Sequence, residues 1–169
     1  MGAVELVRKI AEVINIDQLY FASTEARRET AHYPRDVEFD GTYSSQCRIS
    51  SATTFDVTVG FTLTVSGIDG RRITVFHAVM TLKYRAPQEC AKVITEEAVD
   101  AFGQVNAVFH AYPYFREFVQ SSAGRMNLPN IIMPAMPGKG LFGQINDDAL
   151  KVLPMRGKRP APDRQAANQ

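Results

Sequence analysis

The residues with the widest chemical repertoire in this 169-residue chain are three histidines, His32, His77 and His110, and two cysteines, Cys47 and Cys90. An imidazole can move a proton near neutrality or hold a metal. None of the three stands in a spacing with other His, Cys, Asp or Glu residues that makes a metal box, so each reads as a solvated or locally bonded side chain. The cysteines have no short metal spacing either and read as reduced thiols. Gly-x-Ser-x-Gly is absent, which removes the nucleophile elbow. Gly138–Gly143 matches Gly-x-Gly-x-x-Gly, but Pro134 and Pro137 precede it and little chain follows for a second strand. A dinucleotide site needs a strand before that motif and a helix after it, so the segment reads as a flexible loop. A small enzyme would require His77, His110 and Glu117 to converge in one cleft. No residue set points to a metal, a nucleotide or any other cofactor.

What remains is oily surface. From Tyr112 to Pro134 the pattern changes midway. Tyr114, Phe115, Phe118 and Val119 make one sticky helical face. Pro113 suits the first turn of a new helix, and Gly124, Asn127 and Pro129 are stop signals. Leu128, Ile131, Ile132, Met133 and Met136 follow with neither helical nor strand period. Irregular segments usually run over surfaces, and methionine adapts to varied partners. Tyr112, Tyr114, Phe115, Met126, Leu128, Ile131, Ile132, Met133, Met136, Leu141 and Phe142 are therefore the candidate peptide-binding residues, with closure of the core as the alternative role for each.

The elements that must position them are legible in outline. Residues Ala3 to Ile14 form an amphipathic helix. Gln18 to Thr24 has strand composition, Glu25 to Arg35 reads as a connection, and Val37 to Tyr43 alternates as a second strand. Phe55, Val57, Val59, Phe61, Leu63 and Val65 occupy every second position, which dictates an antiparallel strand with one buried face. Asp69-Gly70 predicts a tight hairpin with positive φ at both central positions, and Arg72 to Tyr84 returns with apolar residues on both faces. Such a strand needs cover on both sides, by helices on one and by another subunit or helix on the other. Thr95-Glu96-Glu97 opens a long helix with a break or kink expected before Pro113. Asn146 to Leu150 caps a short last helix. Strands first and helices after give an α+β fold, a four-stranded antiparallel sheet with helices packed on one face. The expected division is a domain over 1–153 and a disordered Pro/Arg-rich tail over 154–169.

Composition limits the partners. The net charge is +1 and the pI about 7.8, so no global field draws in nucleic acid or an anionic membrane. Arg156, Lys158, Arg159 and Arg164 lack interleaved aromatics and read as a solubilising tail. No apolar run reaches the roughly 18 residues of a membrane span, and Glu5, Arg8 and Lys9 interrupt any leader-like core. The expected location is the cytoplasm.

Tyr112-Pro113-Tyr114-x-Arg116-Glu117, then Gly124-Arg125, then Leu128-Pro129 and an apolar segment resemble the C-terminal signature of the SecB chaperone family. The resemblance covers Asp17 to about Leu153 and is specific from Thr95 to Pro134. It implies an ATP-independent cytosolic holdase for unfolded polypeptides, preproteins or an antitoxin, working as a homotetramer built as a dimer of dimers. Secretory members dock the translocation ATPase SecA through carboxylates on the sheet. Here His77 and Val79 stand where that family has an apolar residue and a glutamate, and Phe21 stands where an acid is expected, so SecA docking is not implied. The Thr95–Glu97 helix start and the Tyr112–Glu117 motif look closest to SecB-like chaperones of toxin–antitoxin systems; a phage-borne or solitary member is equally compatible. The readings from other classes are the His-pocket enzyme and an oligomeric scaffold that binds no unfolded chain.

Overall fold

A computed structural model describes residues 3–134 and 142–145, the last four by their backbone. The expected final helix at Asn146–Leu150 and the tail over 154–169 lie outside the described residues. Helix α1 (Ala3–Ala11) is followed by four long strands, β1 (Asn15–Arg28), β2 (Val37–Ser51), β3 (Thr54–Gly67) and β4 (Arg72–Arg85). A 3-10 turn at Gln88–Val93 leads to α2 (Glu96–Phe102), a π-helical turn (Gly103–Ala107) and α3 (Val108–Arg125); β5 (Phe142–Ile145) comes last. The sheet order is β1-β4-β3-β2-β5. The first four strands are antiparallel, and β5 joins β2 in parallel.

The alternation in β3 does what its period requires: Phe55, Val57, Val59, Phe61, Leu63 and Val65 are all fully buried on one face. In β4 their partners Tyr84, Leu82, Met80, Ala78, Phe76 and Thr74 extend that face. Phe55 and Tyr84 stack at 5.0 Å, and Phe102 meets both edge-on. Phe115 stacks on Phe61 at 4.9 Å. The helices thus lie on one face of the sheet. The other face of β4 is also closed around His77 and Val79, where β1 and β3 flank it in register; no described helix lies there.

Four expectations are corrected. β1 runs on to Arg28 where a connection was expected from Glu25, because pairing with β4 along its length outweighs the polar composition of Glu25–Arg28. Helix α1 stops at Ala11, and Asn15 opens β1. In the β3–β4 hairpin only Gly70 has positive φ, at 77°; the Gly70 N–H bonds the Gly67 carbonyl, a three-residue loop ending in a left-handed glycine rather than a two-residue one. And α3 passes through Pro113 without a break. The irregularity sits earlier, at Gly103–Ala107.

Its cause is the packing row. Val99, Gly103, Ala107, Ala111, Phe115, Val119 and Ala123 are all buried at every fourth position. An α-helix has 3.6 residues per turn, so such a row drifts by about 40° per step. A wider π turn returns part of that drift and keeps the row on the sheet. Close approach also matters: a Cβ on Gly103 would lie 2.2 Å from Cys47 Sγ. Cys47 donates to the Val99 carbonyl at 3.4 Å, and burial with the Asp100 carboxylate pushes its thiol up to about 12. Thr95 caps α2 as expected, accepting from the Ala98 N–H. At the far end Asn127 (φ 52°) adopts the left-handed conformation, with Leu128 N–H on the Ala123 carbonyl and Asn127 N–H on that of Gly124, a Schellman motif.

Gly103→Ala is expected to destabilise the fold by about 1–3 kcal/mol through overpacking. Cys47→Ala removes the obstructing sulfur, so the same substitution in that background should cost well under half as much. A denaturant-melt double-mutant cycle showing additive effects would refute the contact.

Candidate functional site

The Schellman turn throws the chain off α3 into an irregular run over 128–134. The run reads as period-free in sequence, yet its last part alternates: Ile131 is 2% exposed, Ile132 83% and Met133 5%. Two bonds pin it. Arg28 Nη1 donates to the Met126 carbonyl at 2.9 Å, and the Tyr112 hydroxyl donates to the Pro134 carbonyl at 3.0 Å. Tyr112 is itself fully buried, and burial raises its pKa against a smaller opposing pull from Arg116.

The candidate residues therefore divide. Tyr112, Phe115, Leu128, Ile131 and Met133 are buried in the core. Met126 is partly buried against it. Tyr114 and Ile132 are exposed. Met136 and Leu141 lie outside the described residues, and Phe142 is placed only as the first residue of β5. The structure brings Tyr112, Phe115 and the 128–134 run together, with Ile132 as the apolar side chain left pointing outward.

Other exposed apolar residues were not singled out by sequence. Val105 and Phe109 are exposed on the helical layer, and their i, i+4 spacing with exposed Pro113 is a stripe the pattern already held. Ile16, Tyr20 and Phe21 are exposed on β1, and Phe39 and Ile49 on β2. In a strand, exposed and core-facing apolar residues have the same alternation, so no local signal marks these.

The histidines do not converge. On the helix-free face His77 is 6% exposed, with Nδ1 3.0 Å from Thr62 Oγ1 and Glu25 opposite in register. On the helical face His110 Nδ1 lies 3.0 Å from the Tyr84 hydroxyl, in a cleft of about 470 Å³ between the end of α1, the start of β1 and α3. Glu117 is exposed on α3. The sheet separates His77 from His110, so the three groups of the enzyme reading form no cleft. Among the described residues no cluster of three His, Cys, Asp or Glu side chains could hold a metal. Burial lowers both imidazoles from 6.5, opposed at His77 by Glu25. The unfolded chain then binds more protons than the folded one, so stability is full above pH 6.5 and falls as pH drops toward the folded values. The melting temperature is expected to fall between pH 7.5 and 5.5, and less so in a His77→Gln, His110→Gln variant. Equal slopes in the two proteins would refute this.

No protein-family model and no curated protein matches the sequence. Among solved structures, the SecB-like chaperone of Mycobacterium tuberculosis, in complex with a ChAD peptide from the HigA1 antitoxin, superposes with a TM-score of 0.71. The match covers 79% of this chain and 98% of that one at 20% identity. A Streptococcus agalactiae protein of unknown function covers 72% of this chain and 96% of its own at 12% identity, with a TM-score of 0.33 that carries no argument. No described helix is long and apolar enough to cross a membrane. The long-stranded antiparallel sheet, the helices on one face and the superposition together give this chain the SecB-like fold.

Proposed function

We propose that the protein is an ATP-independent holdase that keeps extended, non-native polypeptide segments from aggregating. The observation that carries this reading is the exposure of Ile132 between buried Ile131 and Met133. A segment pinned at Met126 and Pro134 holds a large apolar side chain in solvent, and its Pro134 end is tied to Tyr112 of the aromatic cluster with Phe61 and Phe115. Burying apolar area is worth about 25 cal/mol per Å² and has no directional demand, so such a surface accepts many sequences. The fold it shares with a chaperone solved on an antitoxin peptide supports the same reading and makes an antitoxin segment one natural client; a preprotein is another. The Val105, Phe109 and Pro113 stripe lies on the helical layer, away from the 128–134 run in sequence, and suits self-association into a homotetramer. Several weak sites on one assembly give avidity through effective concentration. The working place is the cytoplasm, and no nucleotide is consumed. The helix-free face carries His77 and Val79 at its centre, with Glu25 as the neighbouring acid, which does not favour docking of the translocation ATPase.

The purified protein is expected to suppress aggregation of an unrelated, chemically unfolded protein without ATP, at about one client per tetramer. Unchanged light scattering at molar excess would refute the holdase. Ile132→Asp should weaken client binding about tenfold, or ~1.4 kcal/mol, with the melting temperature unchanged. Met133→Asp places a charge in the core and should unfold the domain, so it is no test of binding. Unaltered client affinity in the folded Ile132→Asp protein would place the binding surface elsewhere.

A further inference from the structure

The β2 edge carries an inference about how a client is held; it rests on the holdase reading. β2 is a fifteen-residue strand. One side pairs with β3 over almost its whole length. Among the described residues the other side pairs at Gly41, Thr42 and Tyr43, with Phe142, Gln144 and Ile145 of β5. Unpaired N–H and C=O groups along a sheet edge are a template for another strand, and here most of the edge is left without a described strand.

The strand that does sit there is weakly held. β5 has four residues, its register slips between Gly41 and Thr42, and it is parallel in a sheet whose other pairings are antiparallel. Parallel pairing is slightly less stable per residue. Gly41 is buried where it pairs with Phe142, and a strand glycine marks a place where another backbone comes close. Along the helix-side face of the same edge, Phe39 and Ile49 are exposed and Tyr43 touches Phe61 at 6.3 Å. Phe61 in turn touches Tyr112, whose hydroxyl holds Pro134. A relay of contacts through Phe61 and Tyr112 thus links this edge to the end of the Ile132 segment.

We infer that β5 is a self-bound strand occupying the client's place, and that an extended client segment displaces it to pair its own backbone with β2. Backbone pairing supplies affinity without reading sequence, and the apolar side chains along the edge select segments with apolar residues at alternate positions. The occupant is such a segment of a non-native polypeptide. A second copy of this chain is the competing occupant and is distinguished below.

The test uses the full chain and a short labelled peptide that alternates apolar residues with threonine and lysine. Successive N–H groups of a strand point to opposite sides, so Gly143→Pro together with Gln144→Pro removes whichever one faces β2. If β5 holds the edge about nine-tenths of the time, freeing it tightens peptide binding about tenfold. Thr42→Cys with Gln144→Cys, opposite in register, in a Cys90→Ser background, should do the reverse: oxidation weakens binding and reduction restores it. The same peptide N-methylated on alternate amides should bind neither protein well. Three results would overturn the inference while wild-type binding stands: unchanged or weaker binding by the proline variant, equal binding of the N-methylated peptide, or a doubled mass of the proline variant from edge-to-edge pairing. Failure of the wild type and both variants to bind this peptide or any unfolded protein would instead bring down the holdase reading and this inference with it.

Discussion

The structure depends on how closely one helical layer can approach one strand. β3 offers six fully buried apolar side chains in a single row, and the run from α2 through α3 packs on that row through Phe102 and Phe115. It does so with small residues where the contact is tightest, Gly103, Ala107 and Ala111, and with Phe102 and Phe115 where there is room. The π turn belongs to the same requirement. A regular helix would carry its fourth-residue row away from the sheet within a few turns, whereas the wider turn at Gly103–Ala107 holds it there. Pro113 is tolerated because it is exposed, on the side of α3 away from the buried row.

That single layer explains what is left outside. The four long strands of the sheet, fourteen and fifteen residues each, make it broader than one helical layer covers. Apolar residues on the flanking strands β1 and β2 stay exposed, as do those on the far side of the helices. A chain of this size has limited means to hide them. Exposed apolar groups of this size mark interaction surfaces, and here they include Ile132 on the pinned segment and Phe39 and Ile49 on β2.

The sheet also separates two environments. On the helical face Tyr84 and His110 share a hydrogen bond within the aromatic cluster around Phe102. On the opposite face His77 bonds Thr62. Both imidazoles are biased toward neutrality by burial, and the sheet keeps their two environments apart.

Much of this was written in local pattern. The period-two run of β3, the Asp69-Gly70 hairpin, the Thr95 cap and the Asn127 stop follow from alternation, turn chemistry and capping, which act over a few residues, and the Tyr112–Pro129 motif carried the family resemblance. The sequence alone could not say which oily residues are hidden. Leu128, Ile131 and Met133 differ from Ile132 only in which way the backbone points them, and that is settled by Tyr112 and Arg28 pinning the segment from distant parts of the chain. Nor could it place the helix irregularity, which answers to the buried row packed on the sheet, or extend β1 through Glu25–Arg28, which answers to β4. The parallel seat of β5 has the same origin: four residues acquire a strand's conformation because a distant edge offers them partners. Local periodicity determined the elements; long-range contact decided their ends, their faces and which side chains remain for others to meet.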